Sequence, residues 1–267
     1  MNTKKLAAIL IAAAFGLIAL FSFIGLMSVK KVHVEYALGE NSDAYEIQAV
    51  LDEFVGRNLM FLNTDDVENS LKDYHYMEVL SVDKQFPNVI NVSIKERREV
   101  YALSHGENVY VANEDGFILN STPSAQFGGG AAHDVIVLDL NDVQVTEIAL
   151  GSVLKTNNDA IVKAVFEMAK SVNLTDCIKS ISIEKVAGYD DVYDAVFSAY
   201  TGVNIYVDDI LEKGVEKAIN IFTAYNEGLS DYEKNAGSVR SMLMEDGRFR
   251  VSYINGEDER IIMTFDN

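Results

Sequence analysis

Residues 86–97 read Phe86-Pro87-Asn88-Val89-Ile90-Asn91-Val92-Ser93-Ile94-Lys95-Glu96-Arg97, and this stretch decides the fold of the region around it. Ile90, Val92 and Ile94 alternate with polar residues, which is the period of a half-buried strand. Pro87 has no N–H to donate to a sheet, so it belongs in the turn before the strand. The stretch therefore predicts a turn followed by a strand with one buried and one exposed face.

The residues before this strand complete a small domain of order β-α-α-β-β. A short strand is predicted over Val32–Tyr36. Helices are predicted to begin near Asp43 and near Asn63 or Thr64, which are all good capping residues. A further strand runs from Met77 to Phe86 and leads into the turn. Residues 29–98 are enough for one small domain with its own core.

This region resembles the POTRA domain of the FtsQ/DivIB family of bacterial division proteins. The matching segments are Val29-Lys30-Lys31-Val32-His33-Val34, Gly56-Arg57-Asn58-Leu59-Met60-Phe61-Leu62, and Phe86-Pro87-Asn88-Val89-Ile90 running into Lys95-Glu96-Arg97. Glu99 departs from the family, which usually has a proline near this position. The resemblance implies an α+β protein with a single N-terminal transmembrane helix, a POTRA domain at 29–98 and an FtsQ/DivIB-type β domain at 99–267.

An apolar segment precedes the POTRA-like region. Leu6 to Met27 is 22 residues without a charge, and at ~1.5 Å per residue a helix of that length crosses ~30 Å of hydrocarbon. A cleaved signal peptide is the alternative, although its apolar part is usually only ~7–15 residues. We therefore expect a cytoplasmic tail at 1–5 and an anchor at 6–28. Long C-terminal domains translocate regardless of charge, so the rest is expected outside the cytoplasm.

The charge distribution limits the kinds of partner that the chain can bind. From Glu35 onward, 18 basic residues stand against 41 acidic ones, a net charge of −23. So acidic a chain is not expected to bind nucleic acid, or an anionic membrane surface along its length. The only cysteine is Cys177, which excludes an intrachain disulfide.

The sequence pattern beyond Arg97 predicts a larger mixed α/β domain that is rich in antiparallel strands. Residues 120–133, with three consecutive glycines, are predicted to form an exposed loop. Apolar stripes at helical spacing predict helices from near Asn158 and over Asp209–Asn226. Strands are predicted at 100–103, 109–111, 117–119, 135–138, 178–183, 192–200, 203–207, 239–244, 249–254 and 261–265.

The sequence carries no recognisable catalytic signature. Motifs of the G-x-S-x-G, H-E-x-x-H, P-loop and G-x-G-x-x-G types are absent, and the four histidines have no metal-ligand spacing. Asp208 and Asp209 form an acidic pair at a predicted helix N-terminus, where negative charge is favourable. We therefore predict no catalytic residue, cofactor, metal or small-molecule substrate.

The family resemblance implies a function. Such proteins are non-enzymatic scaffolds at the division septum, and their partners are single-span coiled-coil proteins of the FtsB/DivIC and FtsL types. A membrane-anchored envelope enzyme, such as a hydrolase or a wall-modifying protein, is the alternative. Substrate turnover would distinguish the enzyme from the scaffold.

The resemblance also places a partner-binding site. In the family, the C-terminal part of the second domain receives the partner along a sheet edge, and the matching region here is Val239–Ile254. Its alternating pattern predicts a strand, and an exposed strand edge offers backbone groups to an incoming strand. The candidate residues are Arg248, Phe249, Arg250, Val251 and Tyr253. The alternative is that the three apolar residues of this set face the core.

Overall fold

The computed structural model describes residues 11–17, 25–36, 44–127, 135–172 and 177–267. These residues form two compact units, the first ending at Arg97 and the second beginning at Arg98. Twelve residues of the predicted anchor lie outside the described ranges, as do Asp43 and residues 128–133 of the predicted loop. Within the described ranges, no helix has the length and apolar character needed to cross a membrane.

The first unit has the predicted β-α-α-β-β order. Its elements are β1 (Lys31–Tyr36), α1 (Ala44–Asp52), α2 (Thr64–Ser70), β2 (Met77–Gln85) and β3 (Val89–Glu96). The strands form a sheet of order β1-β3-β2, in which β1 is parallel and β2 antiparallel to β3. The predicted order of the elements is confirmed, and the pairing of the strands is new information from the structure.

Local sequence explains the elements of this unit. Asn63 caps α2, since its side chain accepts a hydrogen bond from the Asp65 N–H at 3.2 Å. Pro87 lies in the turn between β2 and β3, as predicted. Ile90, Val92 and Ile94 are fully buried against the helices, so the alternation of β3 builds the centre of this core.

The second unit contains twelve strands and two longer helices among its described residues. Its helices are α3 (Asp159–Val172) and α4 (Gly214–Gly228), with a short 3-10 turn at Glu233–Asn235. Its strands are β4 (Tyr101–His105), β5 (Asn108–Ala112), β6 (Ile118–Pro123), β7 (Ile136–Asp139), β8 (Val145–Glu147), β9 (Lys155–Thr156), β10 (Ile178–Lys185), β11 (Tyr193–Ala199), β12 (Asn204–Val207), β13 (Ser238–Leu243), β14 (Phe249–Asn255) and β15 (Asp258–Phe265).

Ten of these strands form one sheet of order β15-β14-β13-β12-β11-β10-β7-β4-β5-β6. Helices α3 and α4 share one hydrophobic core with the same face of this sheet, which we call the inner face. A smaller cluster of Ala102, Val109, Val111 and Val135 lies on the other face. Strands β8 and β9, which the sequence did not predict, pair with each other outside the large sheet.

Helix α4 begins later than predicted. Its first residue is Gly214, and Lys213 before it has φ +54°. The apolar stripe that predicts a helix over Asp209–Asn226 includes Leu211 and Ile219, but both are exposed, and the buried residues of α4 include Gly214 and Lys217. The acidic pair at 208–209 therefore lies in the loop before the helix and not at its N-terminus.

Candidate partner-binding site

The five candidate residues lie on and just before β14, and this strand is not a sheet edge. It pairs antiparallel with β13 on one side, where Val239 faces Tyr253, and with β15 on the other, where Arg260 faces the same tyrosine. The expectation that residues 239–254 present a free edge is therefore wrong, because the last eight-residue strand covers it. Whether the five residues contact a partner stays a prediction.

The apolar candidates belong to the core. Phe249, Val251 and Tyr253 have exposures of 2%, 0% and 4%. Val251 and Tyr253 are part of the cluster that includes α3 and α4. These three side chains therefore face inward, which is the alternative that the sequence left open.

Tyr253 is tied to the loop before β13. Its hydroxyl donates to the Ala236 carbonyl oxygen at 2.6 Å, and burial raises its pKa above the usual range. Gly237 has φ +93°, and a Cβ there would lie 2.6 Å from the Ile254 carbonyl oxygen and 2.9 Å from the tyrosine ring. Glycine is thus needed for this close approach.

The terminal strand β15 is the edge of the sheet at this end. It pairs only with β14 among the described strands, so its far side has no neighbour there. Ile262, Met263 and Phe265 pack against the core, whereas Ile261 is 57% exposed. A Cβ at Gly228 would collide with Ile262, so the glycine at the end of α4 lets β15 lie close to that helix.

The two candidate arginines occupy different positions. Arg248 is exposed in the β13–β14 turn, and its Nε donates to Asp246 at 2.8 Å. That hydrogen bond holds the pKa of Asp246 below its usual range. Arg250 lies on the outer face, 3.6 Å from the Glu259 carboxylate of β15. Its Nε is buried and has no hydrogen-bond partner in the described part of the chain.

A second arginine shares the outer face. Arg240 lies opposite Ser252 in the β13–β14 ladder, and its guanidinium stands 5.0 Å from the centre of the Tyr206 ring. Its Nε is 3.5 Å from Asp208 Oδ1, which is an ion-pair distance without hydrogen-bond geometry. Arg250 thus places a planar cation beside β15, where it could pair with a carboxylate of an incoming chain, and Arg240 lies one strand further in, on β13.

Asp208 belongs to a partly buried charge cluster. Burial raises its pKa to about 6, against the opposing effect of Arg240. Lys217 is 2% exposed and donates from Nζ to the carbonyl oxygens of Asp208 and Asp209 at 2.6 and 3.0 Å. Burial lowers the Lys217 pKa. The cluster fixes the loop between β12 and α4.

The sequence did not single out β15, Arg240 or Asp208 as parts of this site. A signal for β15 was present, since Ile261-Ile262-Met263-Thr264-Phe265 is rich in strand-forming residues. Nothing in that stretch, however, says on which side of β14 it pairs. Arg240 reaches the outer face only through the register of β13.

The second unit also has a cavity of about 390 Å³ beside α3, which is another candidate site. Val153, Leu154, Val162 and Phe166 supply its apolar lining. The three lysines at its rim each pair with a carboxylate, in the pairs Lys155–Glu147, Lys163–Glu167 and Lys170–Asp115. Across the described ranges, no group of three or more His, Cys, Asp or Glu residues is arranged to hold a metal ion.

Sequence comparison finds similarity to bacterial cell-division proteins. The model of the FtsQ-type POTRA domain matches residues 27–97. A cell division protein DivIB of Clostridium botulinum (strain Hall) is 21% identical over 169 residues, covering 62% of this chain and 61% of that protein. DivIB of Clostridium acetobutylicum is 28% identical over 64 residues, 24% of this chain and 26% of that protein. The matches thus span less than two thirds of these relatives.

A solved structure was also matched, the major extracytoplasmic domain of DivIB from Geobacillus stearothermophilus. The match covers 47% of this chain and 95% of that one, at 13% identity and a TM-score of 0.25. A TM-score this low adds nothing to the assignment, which stands on the sequence matches. The resemblance to the FtsQ/DivIB family is confirmed: residues 27–97 are an FtsQ-type POTRA domain, and the chain is related to the DivIB cell-division proteins.

Proposed function

We propose that this protein is a non-enzymatic scaffold of the bacterial division machinery, located at the septum. It links division proteins through contacts outside the cytoplasm, with partners of the FtsB/DivIC and FtsL types. The family relationship supports a role in division. The proposed binding mode rests on the edge of β15 that faces away from β14, which pairs with no other strand in the described part of the chain. An open strand edge at the end of a large sheet can accept a further strand.

The edge has features that suit strand addition. β15 is eight residues long, and no proline or lysine interrupts it, whereas proteins usually blunt exposed edges with such residues. It is held firmly against the core through Ile262 and Phe265. A preformed strand requires little ordering when a partner binds, so less free energy is lost on association.

The candidate residues on β14 then divide into two roles. Phe249, Val251 and Tyr253 hold β14 on the core and so position β15 beside it. Arg248 and Arg250 remain exposed or half-buried and can contact the partner directly. An acidic side chain on the partner would pair with one of these arginines, which gives the added strand its register.

The membrane part of the proposal rests on the sequence. The uncharged segment Leu6–Met27 is long enough to cross the hydrocarbon core as one helix. The five residues before it would stay in the cytoplasm and the units after it would lie outside. Alkali-resistant association of the full chain with membranes, and an intact Met1–Met27 in the mature protein, would test this part.

Co-purification tests the binding mode. The full chain is expressed with an FtsB/DivIC-type partner, and the double variant Ile261→Lys with Thr264→Lys places two lysines on one face of β15. The matched control, Asn120→Lys with Thr122→Lys, places them on β6, the strand at the other end of the same sheet. We expect the β15 variant to weaken capture tenfold or more, which is about 1.4 kcal/mol, and the β6 variant to leave it unchanged.

Two results would contradict the proposal. Equal capture by both double variants would remove the β15 edge from the interface. Turnover of cell-wall or peptide substrates by the purified chain, abolished by substitution of a single carboxylate, would favour the envelope enzyme. Circular dichroism of each variant establishes that the second unit is folded.

A further inference from the structure

The end of the apolar segment is bound to one loop of the POTRA unit. The Leu59 N–H donates to the Met27 carbonyl oxygen at 2.7 Å, and the Val29 N–H donates to the Arg57 carbonyl oxygen at 2.9 Å. The Gly56 N–H returns a bond to the Val29 carbonyl oxygen at 2.8 Å. The loop after α1 is therefore fixed beside the last residue of that segment.

The turn between β2 and β3 lies at the same end of the unit. The Lys30 N–H donates to the Asn88 carbonyl oxygen at 2.8 Å. Strands β1 and β3 then run parallel from Lys31 opposite Val89. Phe86, at the start of this turn, is consequently at the end of the sheet where the apolar segment joins it.

Large apolar side chains are exposed at this end, which we call the basal surface. Phe61 is 78% exposed and only two residues from Leu59, so at most ~7 Å of chain separates it from the residue that binds Met27. Exposed apolar groups gathered in one place mark a surface that contacts something apolar. The basal surface comprises Leu26, Val55, Met60, Phe61 and Phe86, which are 45% to 78% exposed.

Charged residues are close to these residues along the chain. Lys30, Lys31 and Arg57 are exposed and lie within five residues of Leu26 or Val55, and Asp52 and Glu53 are the acidic residues nearest the Gly56–Asn58 segment along the chain. Aromatic and apolar side chains with lysine or arginine around them are typical of protein segments that lie in the interface of a bilayer. The cations suit lipid phosphates, and the apolar groups suit the acyl boundary below them.

We propose that the basal surface rests in the interfacial layer of the lipid bilayer, with Met60, Phe61 and Phe86 inserted. The inference rests on the anchor of the proposed function, because the hydrogen bonds at Met27 bring the loop to the membrane only if Leu6–Met27 crosses it. The POTRA unit is then held on the membrane in one orientation. It does not swing on a flexible tether.

Tryptophan fluorescence provides the test, because the chain contains no tryptophan. Phe61→Trp and Phe86→Trp are made singly in the full-length protein and reconstituted into phosphatidylcholine and phosphatidylglycerol vesicles. Both substitutions replace an exposed ring with another ring, so the fold tolerates them. We expect blue-shifted emission from both, and strong quenching when brominated lipids replace the ordinary ones.

Leu80→Trp is the matched control. Leu80 is 51% exposed on β2, between the residues that pair with Ile94 and Ser93. It therefore stands about four to five residues, or ~15 Å, along the sheet from Val89. Its tryptophan is expected to emit as in water and to be insensitive to brominated lipid.

The outcomes separate this inference from the anchor itself. Alkali-resistant binding with unquenched emission from Phe61→Trp and Phe86→Trp would overturn the basal contact and leave the anchor standing. Loss of the whole chain in the alkaline wash would overturn both. Blue-shifted emission that appears only after a division partner is added would assign the surface to a protein contact and reject the lipid contact.

Discussion

Strands β14 and β15 are neighbours in the sheet but differ in their physical situation. β14 has hydrogen-bonded strands on both sides and three apolar residues in the core, whereas β15 has one neighbouring strand in the described part of the chain and an exposed Ile261. A substitution in β14 should therefore act on stability, and one in β15 on binding. Alternation of polar and apolar residues reports which face of a strand is buried, but not whether its edge is free.

The largest expected effect is that of Val251→Pro. A proline in an internal strand removes a ladder hydrogen bond, and leaving a buried partner unsatisfied costs about 1–3 kcal/mol before the packing loss of a fully buried valine is added. We expect the second unit to unfold or to lose most of its stability in urea titration. Ile261→Pro on the edge strand should cost much less. Equal destabilisation by the two prolines would contradict the claim that β14 is an internal strand and β15 an edge strand.

The next effect concerns pH and Asp208. The pKa of its carboxyl is raised to about 6 in the folded protein, against about 3.9 when unfolded. The folded state thus holds the extra proton, and stability falls as pH rises from about 4 to 6, by at most ~3 kcal/mol. Asp208→Asn should remove this fall, measured as the difference in unfolding free energy between pH 4 and pH 7.

Asp246→Asn is the control for that measurement. Asp246 is fully exposed and its pKa is lowered by Arg248, so its own contribution to stability is lost as pH falls and has the opposite sign. A pH dependence of the Asp208 variant that equals that of the wild type would show that this carboxyl is not desolvated.

A smaller effect is expected for Tyr253→Phe. The variant keeps the ring in the core and removes only the hydroxyl that donates to the Ala236 carbonyl oxygen. We expect a loss of about 1 kcal/mol in unfolding free energy, with partner capture unchanged. A folded variant with reduced capture would instead place the hydroxyl in the interface.

Short-range patterns allowed the POTRA unit to be predicted well. The alternation of Ile90, Val92 and Ile94, the turn at Pro87 and the cap at Asn63 are each decided by a few neighbouring residues. The helix α4 was harder, because its buried stripe includes Lys217. Lysine is rarely buried, and this one is accommodated because two backbone carbonyls of the loop before α4 accept its hydrogen bonds.

The candidate site was predicted only in outline. The expectation placed the free edge on β14, whereas the hairpin that pairs β15 with β14 puts the edge on β15. The positions of Arg240 and Asp208 depend on the order of β12, β13 and β14 in the sheet. Contacts between strands that are distant in sequence lie beyond what periodicity reports.

Hydrogen exchange on the complex of the full chain with an FtsB/DivIC-type partner tests the central claim most directly. If the partner adds a strand to β15, the amides of Asp258–Phe265 become protected on binding, while those of β6 at the other end of the sheet exchange as before. Unchanged exchange throughout Asp258–Phe265, with new protection elsewhere in the second unit, would contradict the account.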